Sequence, residues 1–182
     1  MLKPIKFLLG LTFLVAISGC ATYPPLTTAD KVNPIDFQGE WYVIANIPYF
    51  AEKGKVGSKV SYLPTEKDGV YRDLFTARDE NFESEIKELE GVAKVLNAEH
   101  TELQSIFYWV IRSRFSVLHM EDNWMLLGHR NRKYAWVMAR DSQINDQQYQ
   151  RALAIFAERG YEPSKFKKVP QKPEDLGKPE YQ

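Results

Sequence analysis

Between Gly39 and Arg140 the chain is a succession of short runs in which apolar and polar residues alternate, broken by clusters of turn-forming residues. The runs GEWYVIANI, KVGSKVSYL, GVYRDLFTA, FESEIKELEGVAKVL, TELQSIF, RFSVLHME, NWMLLGHR and KYAWVMAR carry the period-two pattern of strands. The segments between them, among them PTEKDG, RDEN, NAEH and RNR, are short, polar and rich in Asp, Asn and Gly. Eight short strands joined by hairpin-length turns predict an all-β fold, either a sandwich or an up-and-down barrel. In the last run Tyr134, Trp136, Met138 and Arg140 share one face, and Lys133, Ala135, Val137 and Ala139 the other. Both faces are substantially apolar, so both need cover. The fourth run is long enough for a helix, but Gly91 interrupts it and GVAKVL is β-rich, so the pattern predicts one long bent strand.

The period then changes. A single helix is predicted over 145–159, with Asn145 as cap, Gln148 completing a capping box and Gly160 as the left-handed stop. Tyr149, Ala152, Leu153, Phe156 and Ala157 fall on one stripe, which must lie against something apolar. The outside of the sheet is the natural partner, and this explains an apolar outward face at Ala135 and Val137. Phe166 and Val169 are expected to add a short last strand or clasp, and residues 171–182 to form a flexible tail.

The N-terminus follows a different logic. Lys3 and Lys6 precede a charge-free apolar run over residues 7–19, the layout of an export signal, and Pro24 and Pro25 follow too soon for a membrane span of about 20 residues. Ile17, Ser18, Gly19 and Cys20 resemble the lipobox of bacterial lipoproteins. That resemblance implies a signal peptide over 1–19, acylation of Cys20 and a lipid-anchored protein, with Ala21 permitting export to the outer membrane of a Gram-negative bacterium. Residues 20–32, rich in proline and small polar side chains, read as a tether.

Composition bounds what remains. The 182 residues balance 24 basic against 24 acidic side chains, and no basic stripe points to nucleic acid. With 44% apolar and 13% aromatic residues, one domain over 33–170 can build its core without a cofactor. Cys20 is the single cysteine, so packing and not a disulfide holds the fold. His100, His119 and His129 are scattered and support no metal site.

With these elements in place the chain resembles the lipocalins, and in particular bacterial outer-membrane lipocalins. DFQGEWYVIANIP is similar to the first lipocalin motif, a turn followed by Gly-x-Trp-Tyr. MEDNW falls at the second, with Glu121 in place of its aspartate and Trp124 in place of its tyrosine. YAWVMAR resembles the third, ending on Arg140, and the helix and GYEPSKF follow at the family's spacing. The resemblance covers roughly residues 33–170. It implies an eight-stranded antiparallel up-and-down β-barrel with one C-terminal helix packed outside. Gly39, Trp41 and Arg140 then serve as structural motif residues, with the Arg140 guanidinium stacked on the Trp41 indole.

The resemblance also implies binding of small hydrophobic ligands, fatty acids or lysophospholipids in the bacterial branch, for storage, transport or scavenging in the cell envelope. A membrane partner through Cys20 and homodimerisation go with it. Strand alternation then nominates a barrel lining of Val43, Ala45, Tyr62, Phe75, Phe115, Val117, His119, Trp136 and Met138. Plain core packing is an equal reading of each. Arg112, Arg114 and His119 are candidates to meet an anionic head group, against a solvated strand face. Catalysis is not expected: the cysteine nucleophile of some lipocalins has no counterpart in the barrel, and no Gly-x-Ser-x-Gly, P-loop or His-Glu-x-x-His motif occurs. The competing function is an envelope structural or interaction protein whose barrel is filled by its own aromatic side chains. The loop PYFAEKGKVG is the segment that would lid the barrel mouth.

Overall fold

The computed structural model describes residues 24–182, so the expected signal peptide and Cys20 lie outside the described residues. A short helix α1 (Pro34–Phe37), capped by the Asn33 side chain, turns the chain into β1 (Gly39–Ile47). There follow β2 (Lys55–Pro64), β3 (Val70–Asp79), β4 (Lys87–Val95), β5 (Glu102–Phe107), β6 (Ile111–Glu121), β7 (Trp124–His129) and β8 (Ala135–Ala139). Each pairs antiparallel with the next, and β1 pairs with both β8 and β2, which closes the eight strands into a barrel. Closure leaves no free edge, the usual hazard of an all-β chain.

The strands divide the apolar residues into two cores. Inside the barrel lie Trp41, Val43, Tyr62, Phe115, Val117 and Met138 with their neighbours. Outside, Ala45, Leu118, Leu126 and Val137 form a second core beneath α2 (Asp146–Glu158), which buries Ala152 and Phe156 against them. The Asn145–Gln148 capping box forms as the sequence predicts, and Gly160 follows at φ 82°. Ala157, expected on the buried stripe, is exposed.

Three local expectations are corrected. The fourth run does not make one long bent strand: the Asn81 side chain accepts hydrogen bonds from the Glu83 and Ser84 amides, holding a turn there, and β4 begins only at Lys87. Residues 171–182 do not fray. Gln171 donates its side-chain amide to Val43 O at 2.8 Å, Gln182 N donates to Lys168 O at 3.0 Å, and Asp175 is buried. A short β9 (Lys167–Lys168) adds to β1 ahead of this clasp.

The third correction concerns register. Bulges lie between Val43 and Ala45 in β1 and between Val117 and His119 in β6. One extra residue in a strand sends everything after it to the opposite face. Ala45 therefore pairs with Val137 in the outer core, and His119 pairs with outward-facing Leu126. Neither lines the barrel.

The closed end carries the motif residues. Trp41 is fully buried and donates its indole N–H to Phe37 O at 2.9 Å. The Arg140 guanidinium lies 3.5 Å from the centre of the Trp41 ring and donates to the carbonyls of Asp36, Gln38 and Glu40 at 2.6–2.7 Å. Gly39, at φ 92°, passes directly beside it: a Cβ there would sit 3.2 Å from Arg140 Nη1. In the second motif the replaced residues bond to each other, Trp124 Nε1 to Glu121 Oε2 at 2.9 Å, and Arg151 of α2 donates to Glu121 Oε1 at 2.6 Å. The substituted pair thus ties the helix to the β6–β7 hairpin.

Candidate functional site

Above that closed end the barrel is hollow, with a cavity of about 300 Å³. That lies at the lower limit for small-molecule sites. Its wall includes Tyr62, Asp73, Phe75, Ser105, Phe115, Trp136 and Met138. Gly91 is opposite Asp73 on β4, and the Phe107 ring occupies the space a side chain would take: a Cβ on Gly91 would fall 2.5 Å from Phe107 Cδ1. The cavity is thus lined mainly by apolar side chains, many of them aromatic.

The loop over residues 48–54 covers the mouth. Tyr49 and Glu52 turn inward from it, while Phe50 stands 86% exposed at the rim. Two hydrogen bonds fasten this lid to the wall: Trp136 Nε1 donates to Glu52 Oε1 at 2.8 Å, and at the end of the loop Glu80 N donates to Gly54 O at 2.9 Å. The Tyr49 amide donates to the other Glu52 oxygen at 3.4 Å, and the Tyr49 ring meets Tyr134 edge-on.

Two carboxyl groups in this aromatic chamber are buried, Glu52 at 5% exposure and Asp73 at 3%. Desolvation raises both: Glu52 to about 7, against hydrogen bonds from Trp136 and Tyr49, and Asp73 to about 6, against the hydrogen bond from Ser105. The Tyr49 hydroxyl is pushed up to about 12 by burial and then by the charges of Glu52 and Asp73. The basic groups on the lining are Arg112, exposed at the rim, and His129, whose pKa burial lowers.

Of the residues nominated from sequence, Tyr62, Phe75, Phe115, Trp136 and Met138 line this cavity. Val43 and Val117 face inward but belong to the packed inner core and not to the cavity wall. Ala45 and His119 are outside; His119 stacks against Trp124 at 4.7 Å. Arg112 reaches the rim as an exposed side chain, and Arg114 stays exposed on the strand. Glu52 and Asp73 were missed. For Asp73 a signal existed, because it falls between Tyr71 and Phe75 on one face of its strand; for Glu52, in an irregular loop, none did.

Beside the mouth, the β5–β6 hairpin ends in Tyr108, Trp109, Val110 and Ile111, all exposed, with Trp109 at 91%. Tyr108 and Trp109 hold φ of 49° and 64°, the left-handed region that bulky side chains rarely adopt.

Comparison with known proteins adds to this geometry. A family model described as a lipocalin-like domain matches residues 33–171. Temperature-induced lipocalin-1 of Arabidopsis thaliana is 26% identical over 154 residues, covering 77% of this chain and 80% of the plant protein. Among solved structures, insecticyanin from the tobacco hornworm Manduca sexta superposes with a TM-score of 0.67 at 15% identity, over 85% of this chain and 88% of that one. The amine binding protein of Rhodnius prolixus, solved as its tryptamine complex, gives 0.60 at 12% identity, over 81% and 86%. At such identities the structural likenesses establish the fold alone.

Proposed function

Because the chain belongs to the lipocalin family, whose barrels bind small hydrophobic molecules, we propose that it holds one small amphiphile at a membrane surface. The observation that carries this reading is the cavity of about 300 Å³, lined by aromatic side chains, beneath a lid whose Glu52 bonds to Trp136 of the wall. A barrel filled by its own side chains, the competing reading, has no use for such a chamber or for a lid.

Fatty acids and lysophospholipids are the ligand classes we assign first. Their single chain suits a narrow apolar chamber, and a head group left at the mouth meets exposed Arg112. The membrane setting rests on the lipobox-like Ile17-Ser18-Gly19-Cys20 and on the exposed aromatic hairpin tip beside the mouth. Trp and Tyr favour the membrane interface, and Arg112 and Arg114 flank the tip with positive charge. Acylated Cys20 would park the barrel on the periplasmic side of an outer membrane, and its role there would be storage, transport or scavenging by binding, without catalysis.

Titration with a fluorescent fatty acid tests the ligand reading. Energy transfer from the protein's tryptophans should saturate at one probe per chain and reverse when unlabelled lysophospholipid is added. The absence of saturable transfer would return the barrel to the filled class. Cys20→Ser tests the anchor: the variant should move to soluble fractions, and continued membrane residence would remove the acylation reading.

A further inference from the structure

The donors and acceptors facing the barrel interior do not balance. Glu52 and Asp73 are buried against the cavity, and among the described residues neither forms an ion pair with a cation. Glu52 accepts two hydrogen bonds, from Trp136 and from the Tyr49 amide. Asp73 accepts one, from the Ser105 hydroxyl to Oδ2, and Oδ1 receives no donor from the described residues. A carboxylate has about four acceptor positions. The side-chain oxygen of Asn46, 1% exposed, also has no hydrogen-bond partner; Asn46 is not on the cavity lining but pairs across the strands with Trp136, which is.

A buried polar group without a partner costs about 1–3 kcal/mol, more when charged. A folded barrel that keeps Asp73 Oδ1 facing the cavity without a donor has left room for something that donates. The walls around it point to the same chemistry. Tyr49, Tyr62, Phe75, Phe115 and Trp136 contribute aromatic rings to the lining, and the face of such a ring attracts cations through its quadrupole. Arg112 and His129 do not supply the missing charge, since the first is solvated at the rim and the second is disfavoured as a cation by burial.

We propose that the cavity selects an organic cation, a small hydrophobic molecule bearing an ammonium group, which donates to the Asp73 carboxylate beside Ser105 while its apolar part lies against the aromatic walls under Glu52. This rests on the reading of the barrel as a ligand site, and it sets an amine in place of the fatty acid assigned there. A carboxylate ligand, by contrast, can enter only with its charge held at the mouth and its chain pressed on Asp73.

A matched series separates the two levels: decylamine, decanol and decanoate, which share one chain length and differ in the head alone. Each is titrated into the full-length protein, at a pH above both carboxyl pKa values, by isothermal calorimetry. The amine should bind about tenfold or more tighter than the alcohol, as expected for a charge-assisted pair, and the carboxylate weakest. D73N should abolish the amine's advantage and leave decanol affinity within about threefold; E52Q, which keeps an acceptor for Trp136, should reduce that advantage. D73S provides a second variant should D73N fail to fold: it too removes the carboxylate and should abolish the amine's advantage. Decanoate binding as tightly as decylamine, or an amine preference that survives both D73N and E52Q, overturns the proposal while leaving the cavity a ligand site. Failure of all three compounds to bind overturns both.

Discussion

Trp136 and Glu52, 84 positions apart in sequence, meet at 2.8 Å where the barrel wall touches its lid. Trp136 is held by pairing of β8 with β1 and β7, so the wall side of this bond is rigid and the loop side is what can move.

Trp136→Phe removes the donor while keeping the ring. Amides over residues 49–54 should then exchange with solvent faster, and a bound fluorescent amphiphile should dissociate several-fold faster, with little change in association. Unchanged exchange in the loop would mean that the hydrogen bond does not fasten the lid.

At the closed end, Arg140→Ala removes three hydrogen bonds to carbonyls and the stack on Trp41. Stability should fall by about 2–4 kcal/mol, read from the denaturation midpoint at constant slope. Arg140→Lys should recover only part of it, since an ammonium cannot reach three carbonyls with a planar fork. Full recovery by lysine would contradict the geometry.

The buried carboxyls give a pH dependence of unusual sign. Their folded pKa values lie above the ordinary ones, at about 7 for Glu52 and about 6 for Asp73, so the folded state binds more protons than the unfolded chain. Stability should therefore be greatest in mild acid and fall as pH rises from about 4 through about 7, by roughly 3 kcal/mol for each group. E52Q and D73N should flatten this slope. A ligand-free protein whose stability rises over the same range would show that these groups ionise freely.

The hairpin tip trades stability for exposure. Tyr108 and Trp109 occupy left-handed backbone positions that Asn and Gly take without strain. Replacing the pair by Asn-Gly should stabilise the fold by about 1 kcal/mol yet lower partition onto anionic phosphatidylglycerol vesicles. In the parent, exposed Trp109 should shift to the blue on vesicle addition. A destabilised variant that still binds vesicles equally would contradict both halves of this reading.

How far these features can be read from sequence depends on what fixes them. Alternation locates the eight strands and the capped helix, because each buries one face and the period follows from that burial. Gly39, Trp41 and Arg140 are legible for the same reason, as local motifs at one end of the barrel. The bulges at Ile44 and Leu118 are not: they add a residue to a strand without changing its apolar character, so counting places Ala45 and His119 on the wrong face. The docked tail is hidden because its anchors, Gln171 and Gln182, bind backbone carbonyls that sequence does not distinguish. Asp73 is the instructive miss. An acid on an inward register looks like a surface residue until the barrel closes around it.

The most direct measurement is native mass spectrometry of the full-length protein purified from bacterial membranes, followed by organic extraction of what it carries. One small amphiphile per chain, released on unfolding and displaced by added ligand, is the expected result. A bare polypeptide mass, with no uptake of any amphiphile offered afterwards, would contradict the assignment of the cavity as a ligand site.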